Sequence, residues 1–288
     1  MTLMSLHRCA CVIVMALALA APAGAQVVPR VLLVGDSWAA QQWGDGSHRL
    51  VFDANGATTV GILGAATTES GSTAAQWAQP ARLAAIQQAL DAAPGVDTVQ
   101  VTIGGNDFLN AWSTQMTPAQ VEALKEQIRL DLETVVAFIL AHRPDMVVVI
   151  SLYDYPNFVN TLGGIVGPLF CRPLHDSLGQ PTPRQINEAL IEFETAYSEL
   201  AAHPRVSYVR HAGLMQYTYG FPGAGIAPGT LLPPGDLDRP SPLESMRNLL
   251  IGRDCFHLRP AGYDVLVQNL YDNFFAARFD TLLFAPFE

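Results

Sequence analysis

The sequence predicts an α/β protein: a three-layer α/β/α sandwich around a parallel sheet. Three observations point there. Short, continuous apolar runs recur along the chain, as in strands buried on both faces. Helical stretches separate them, so each strand is returned to the same edge of one sheet. No internal repeat or linker divides the alternation.

The elements follow in order. Val31–Val34 is the first strand, closed by Gly35, and Thr58–Leu63 the second. Thr98–Ile103 is the third, ending at Gly104-Gly105. Met146–Leu152 is the fourth and clearest, and Val206–Val209 the fifth. Thr73–Ala92 reads as one helix, rich in Ala and Gln with apolar residues at helical spacing. Thr117-Pro118 opens a helix to about His142, with Thr117 as N-cap and Pro118 in the first turn. Thr182-Pro183 repeats that start signal for a helix to about Ala202, and Pro260 opens a last helix to about Ala277. Two connections, 153–181 and 212–245, are far longer than usual. Both follow a strand, which puts them at the carboxyl edge of the sheet, where ligands bind in open α/β folds.

Composition narrows the function. A chain of 288 residues, 50% hydrophobic and 15% charged, builds a sizeable core. Its formal charge of −10 and its 16 basic residues speak against nucleic acid as partner. Lys125 is the one lysine, so there is no P-loop and no S-x-x-K nucleophile pair.

Residues 1–25 read as a secretory signal peptide. His7 and Arg8 form a short polar start, an apolar stretch runs from Cys9 to about Ala21, and Ala23-Gly24-Ala25 is a small-x-small cleavage site. The stretch falls short of the roughly 20 residues a transmembrane span needs. No later segment is long and apolar enough to anchor the chain in a membrane. A periplasmic or extracellular location follows, and nothing in the sequence sets an oligomeric state, though a monomer is compatible with it. Cleavage removes Cys9 and Cys11 and leaves Cys171 and Cys255 in an oxidising compartment, where a disulfide between them is the expectation. Nothing near them has metal-ligand spacing.

Chemistry-bearing residues gather in four segments. Gly35-Asp36-Ser37 ends the first strand, where a serine at a strand-to-helix turn presents its hydroxyl at the sheet edge. Taken alone it reads equally as a helix N-cap. Ser70-Gly71-Ser72-Thr73 follows the second strand. Gly71 lets backbone approach a ligand closely, whereas Ser72 or Thr73 as a cap is the plainer reading. Gly104-Gly105-Asn106-Asp107-Phe108 follows the third strand and carries a neutral amide donor, Asn106, over the edge; Asp107 is expected to fix the loop. Asp254-Cys255-Phe256-His257 precedes the last helix. Its i, i+3 spacing puts a carboxylate and an imidazole on one side of a turn, where the carboxylate can fix the tautomer and leave the other ring nitrogen to accept a proton; taken alone it reads equally as a local Asp–His surface pair.

With these four segments in this order, the chain resembles the SGNH hydrolases, also called GDSL esterases/lipases, over nearly all of residues 26–288, read as a single SGNH hydrolase-type domain. The family's four named residues correspond to Ser37, Gly71, Asn106 and His257, with Asp254 as third member of the triad. Gly64 is the alternative to Gly71. Trp38 stands where the family name has leucine, and packing under the serine turn is its expected role. The resemblance implies a flavodoxin-like, five-stranded parallel sheet of order 2-1-3-4-5. It also implies ester hydrolysis without metal or organic cofactor.

The expected chemistry is a two-step acyl transfer. Ser37 attacks, His257 moves the proton, Asp254 holds the ring, and the N–H groups of Ser37 and Gly71 with the Asn106 amide meet the oxyanion. The expected substrate is a small-molecule or glycan ester, with a carboxylic ester of short to medium acyl chain favoured. A glycan O-deacetylase or a lipase would use the same chemistry, and a non-catalytic ligand-binding module is the alternative from another class. Trp112, Tyr155, Phe158, Leu162, Phe170, Tyr217, Tyr219 and Phe221 are candidate wall residues, or simply loop packing. His211, at the end of the fifth strand, and His175, in the first long loop, lack a carboxylate at i−3. His48, His142 and His203 read as surface or helix-end residues.

Overall fold

All five expected strands form and pair in parallel in the order β2-β1-β3-β4-β5. The computed structural model describes residues 26–163, 167 and 169–279. The expected signal peptide lies outside them. In chain order the elements are β1 (Val28–Gly35), α1 (Ser37–Gly44), α2 (Ser47–Ala54), β2 (Val60–Leu63), α3 (Ala74–Trp77) and α4 (Pro80–Ala92). Next come β3 (Thr98–Thr102), α5 (Gly105–Ala111), α6 (Pro118–His142), β4 (Val147–Ser151), α7 (Cys171–Ser177) and α8 (Pro183–Leu200). The chain continues through β5 (Val206–Val209), α9 (Leu214–Tyr219), β6 (Met246–Asn248), β7 (Arg253–Leu258), α10 (Pro260–Leu270) and α11 (Ala276–Phe279).

The period-2 alternation of strands divides the core in two. Leu32, Val34, Val99, Val101, Val148 and Ile150 face one layer, where they meet Trp77 of α3, Ile86 and Leu90 of α4, Leu132 and Ile139 of α6 and Phe193 of α8. Val31, Leu33, Val149 and Val209 face the other, against Phe52 of α2 and Val267 and Leu270 of α10. Each fully buried Val, Leu or Ile of these layers contributes about 1.5–3 kcal/mol, so the strand ends form a rigid platform.

Two helices depart from their expected extent. The stretch Thr73–Ala92 is two helices, α3 and α4. Gln79 precedes Pro80 and is extended (φ −74°, ψ 147°), because a proline ring crowds the α conformation of the residue before it. The last helix continues past α10 through a π-helical turn, Tyr271–Phe275, before α11. The helices at Thr117 and Thr182 start as expected. Each threonine side chain caps the amide three residues on, and a glutamine (Gln120, Gln185) reciprocates.

The two long connections hold each other by polar side chains. Tyr155 donates to the Pro234 carbonyl at 2.7 Å, and Asn157 Nδ2 to that of Ser241 at 2.8 Å. Within the second connection Gln216 Nε2 donates to the Arg239 carbonyl, and Asp154, three residues past β4, accepts from the amides of Tyr155, Gly213 and Met215 at 2.6–2.7 Å. Burial pushes the Asp154 carboxyl up to about 7 against those three hydrogen bonds.

Candidate active site

The turn that carries Ser37 is shaped by the close parallel pairing of β1 with β3, where Gly35 lies opposite Thr102. A Cβ on Gly35 would lie 2.2 Å from the Thr102 carbonyl oxygen, so only glycine fits. Asp36 then caps α1, its Oδ1 accepting from Trp38 N at 3.0 Å. Tyr153 donates its hydroxyl to the other carboxylate oxygen. Asp36 is fully buried; burial raises its pKa to about 7, against the lowering effect of the bonds from Tyr153 and Trp38. Ser37 occupies the first position of α1 and is 5% exposed. Beneath it, Trp38 stacks on Tyr153 (centroids 4.5 Å apart) and meets Phe256 and Tyr263 edge-on. The indole thus packs under the turn.

His257 arrives from β7. Its Nε2 lies 2.8 Å from Ser37 Oγ and its Nδ1 3.0 Å from Asp254 Oδ2. Asp254 Oδ1 accepts from the amides of Phe256 (2.7 Å) and His257 (2.9 Å). A carboxylate has no hydrogen to give, so His257 donates from Nδ1 and its Nε2 lone pair faces the serine hydroxyl. Burial acts to raise the Asp254 pKa, but His257 and the two amides outweigh it and hold it below the usual carboxylate range.

The pair does not sit on a helical turn, as its spacing suggested. It lies in β7, paired antiparallel with β6, and the register slips between Met246 opposite Leu258 and Asn248 opposite Arg253. In a regular strand i and i+3 point to opposite faces. The extra residues of this bulge bend Asp254 back onto His257.

Cys255 lies inside this segment and is bonded to Cys171, the first residue of α7, with Cα atoms 5.8 Å apart. The Cys255 carbonyl accepts from Asn157 N at 2.8 Å. The loop after β4 is therefore tied to the histidine segment twice.

Asn106 sits in the first turn of α5. Gly104 has φ +101°, and a Cβ on Gly105 would lie 1.7 Å from the Tyr153 ring. Both glycines are therefore required. Asn106 Nδ2 donates to the Ser72 carbonyl at 2.9 Å, and Asp107 accepts from the α3 amides of Ala74 (2.7 Å) and Ala75 (3.3 Å). Asp107 thus fixes the loop, as expected, and burial raises its pKa. These bonds join the segment after β2 to the one after β3. Gly71 is exposed with φ +82°, and Ser72 beside it donates to the Glu69 carbonyl and accepts from Trp77 Nε1. Gly64 is buried, and a Cβ on it would lie 2.6 Å from the Trp43 ring. Packing accounts for that glycine.

The other histidines lie elsewhere. His48 corrects its expectation: it is buried, not superficial, and Nε2 lies 2.7 Å from Gln100 Oε1 on the sheet face. Burial lowers its pKa to about 4. His211 is buried with Nδ1 3.1 Å from Asn269 of α10, and burial lowers its pKa to about 3. His175 contacts the Pro181 carbonyl, His142 pairs with Asp91, and His203 accepts from Arg205 N. Of the candidate wall residues, Trp112, Tyr155 and Phe158 are buried in the core, Leu162, Tyr219 and Phe221 are half-buried, and Phe170 and Tyr217 are exposed. A cavity of about 210 Å³ beside the loop after β4 is lined by Phe158, Leu162, His175, Ile186 and Pro240. The role of Tyr153 was not read from the sequence. A tyrosine just past a central strand, with a buried carboxylate at the end of another, was the available signal. Among the described residues no group of three His, Cys, Asp or Glu side chains is spaced to hold a metal ion.

Comparison with known proteins identifies the family and the fold. The chain belongs to the GDSL-like Lipase/Acylhydrolase family, whose model matches residues 33–265. It is a carboxylic ester hydrolase of the SGNH/GDSL type. Two solved structures share the fold. One is a protein of Streptococcus pneumonia described as a platelet activating factor (17% identity, 86% of this chain and 84% of that one, TM-score 0.50). The other is the lipase Lip_vut3 from a goat rumen metagenome (11% identity, 85% and 97%, TM-score 0.50). No match was found among curated proteins.

Proposed function

We propose that the protein is an exported serine esterase acting through Ser37, His257 and Asp254. The observation that carries this reading is the unbroken chain Ser37 Oγ–His257 Nε2 (2.8 Å) and His257 Nδ1–Asp254 (3.0 Å). His257 takes the Ser37 proton as the oxygen attacks the ester carbonyl. Asp254 stabilises the imidazolium, and the proton then passes to the leaving alcohol. Water, activated by the same imidazole, releases the acid. The oxyanion meets the Ser37 amide at the start of α1, the Gly71 amide, and the second N–H of Asn106, the first being held by the Ser72 carbonyl.

The substrate is a carboxylic ester of short to medium acyl chain. The signal peptide directs residues 26–288 to the periplasm or the medium, a reading supported by the Cys171–Cys255 disulfide. Exposure to a fluorophosphonate followed by peptide mass spectrometry tests the assignment. The label is expected on Ser37, and a label on any other residue contradicts it.

A further inference from the structure

Four exposed large apolar side chains adjoin three of the cations that lack a carboxylate partner. Among the described residues, every basic side chain has a carboxylate partner except Arg172, Arg205, Arg253 and Arg259. Arg205 is enclosed by backbone carbonyls, among them Leu140 and Met146. The other three flank the histidine segment. Arg253 precedes Asp254, Arg259 follows His257 by two positions and lies over the Tyr219 ring, and Arg172 follows the bridged Cys171. Arg172 and Arg253 each give one bond to a carbonyl, of Leu162 and Met246, which leaves most of their N–H groups for another acceptor.

Two exposed apolar pairs adjoin the same arginines. Leu169 and Phe170 are 67% and 65% exposed, and Leu250 and Ile251 are 101% and 53% exposed. The order is repeated: two large apolar residues, one small residue, then arginine (Leu169-Phe170-Cys171-Arg172 and Leu250-Ile251-Gly252-Arg253). The disulfide brings the two stretches together. Cys171 and Cys255 have Cα atoms 5.8 Å apart, and Phe170 and Ile251 lie one and four residues from them, about 4 and at most about 14 Å along the chain.

We propose that these two tips form a docking lip for the surface of an anionic lipid aggregate, with the apolar pairs entering the interface and Arg172 and Arg253 meeting phosphate headgroups. A solvent-exposed leucine–isoleucine tip gains nothing from a polar ester in solution, but it gains about tenfold or more per side chain on entering an apolar phase. A guanidinium beside an anionic surface adds about fivefold. A second copy of this chain is the poorer occupant, because a symmetric contact would set the unpaired arginines of one lip against those of the other. That this esterase takes its ester from such a surface rests on the reading of Ser37 as nucleophile. The docking itself does not.

The test is co-sedimentation of residues 26–288, which contain every element of the described fold, with phosphatidylcholine vesicles with and without phosphatidylglycerol. The Ser37→Ala background keeps the vesicles intact. Binding is expected to favour phosphatidylglycerol. Leu250→Asn with Ile251→Asn is expected to lower affinity about a hundredfold for both vesicles. Arg172→Gln with Arg253→Gln is expected to lower it about twentyfold for the anionic vesicles alone. Thermal unfolding of each variant verifies that it is folded, and the arginine pair, whose side-chain bonds are one each to the Leu162 and Met246 carbonyls, stands in if the apolar pair unfolds. No sedimentation with either vesicle, or variants that bind like the parent, overturns the proposal. So does full competition by soluble glycerol phosphate, which would assign the site to a free phosphate ester. Ser37-dependent turnover of a soluble ester, measured separately, tells failure of the lip from failure of the esterase reading.

Discussion

The two halves of the site are held by different physics. Ser37 stands on the core: β1 is buried on both faces, Gly35 fits against β3, and Asp36, Trp38 and Tyr153 fill the space beneath. His257 stands on the periphery, in a short irregular hairpin whose register slips, held by two local amide bonds and a disulfide. Ser37, the proposed nucleophile, thus inherits its position from the sheet, whereas His257, the proposed base, needs dedicated fastenings. The proposed oxyanion side is intermediate. Asn106 leaves β3 on glycines the core requires, and its amide is then aimed by a single bond to the Ser72 carbonyl.

This contrast orders the effects of perturbation. Ser37→Ala should reduce ester turnover by about 10⁶ while thermal unfolding moves little, since removing one hydroxyl from the helix start leaves the packing intact. Asn106→Ala should cost about 10²–10³ in kcat, read from steady-state rates on p-nitrophenyl esters. Cys171→Ser should destabilise by about 2–4 kcal/mol in urea unfolding. Thiol titration of the unfolded, unreduced protein from Gln26 onward should find no free thiol.

A pH-dependent effect sharpens the core half of the comparison. Asp36 has its folded pKa raised from 3.8 to about 7. Between those values the folded state keeps a proton that the unfolded state has lost. Asp36 therefore makes stability fall as pH rises through that window, at a slope of at most about 1.4 kcal/mol per pH unit. Asp36→Asn should flatten the dependence by that much, compared with the parent by urea unfolding at several pH values. Asp254 acts in the opposite sense. Its depressed pKa supports the fold at neutral pH, and that support is lost on acidification.

The same contrast explains what was legible. The strands and the Gly-Asp-Ser and Gly-Gly-Asn-Asp turns could be read because a buried parallel strand is a continuous apolar run and its end is a local event. The Asp-x-x-His pair was legible as a pair but not as a bulged strand. β6 is three residues long, Met246–Asn248, and mixed in polarity, so it carries no alternation to read. The break between α3 and α4 was written in Gln79-Pro80, but the Ala-rich run around it favoured one helix. His48 was misplaced because its partner is remote. Gln100 of β3, fully buried in a central strand, could be recognised as needing a polar partner, but not which one. The Tyr153–Asp36 bond spans 117 positions, a separation only the sheet topology reveals.

The most direct test of the triad compares turnover of p-nitrophenyl acetate by the protein and by Ser37→Ala across pH. The expected result is hydrolysis that depends on Ser37 at every pH compared. Equal turnover by Ser37→Ala would contradict the assignment of Ser37 as nucleophile.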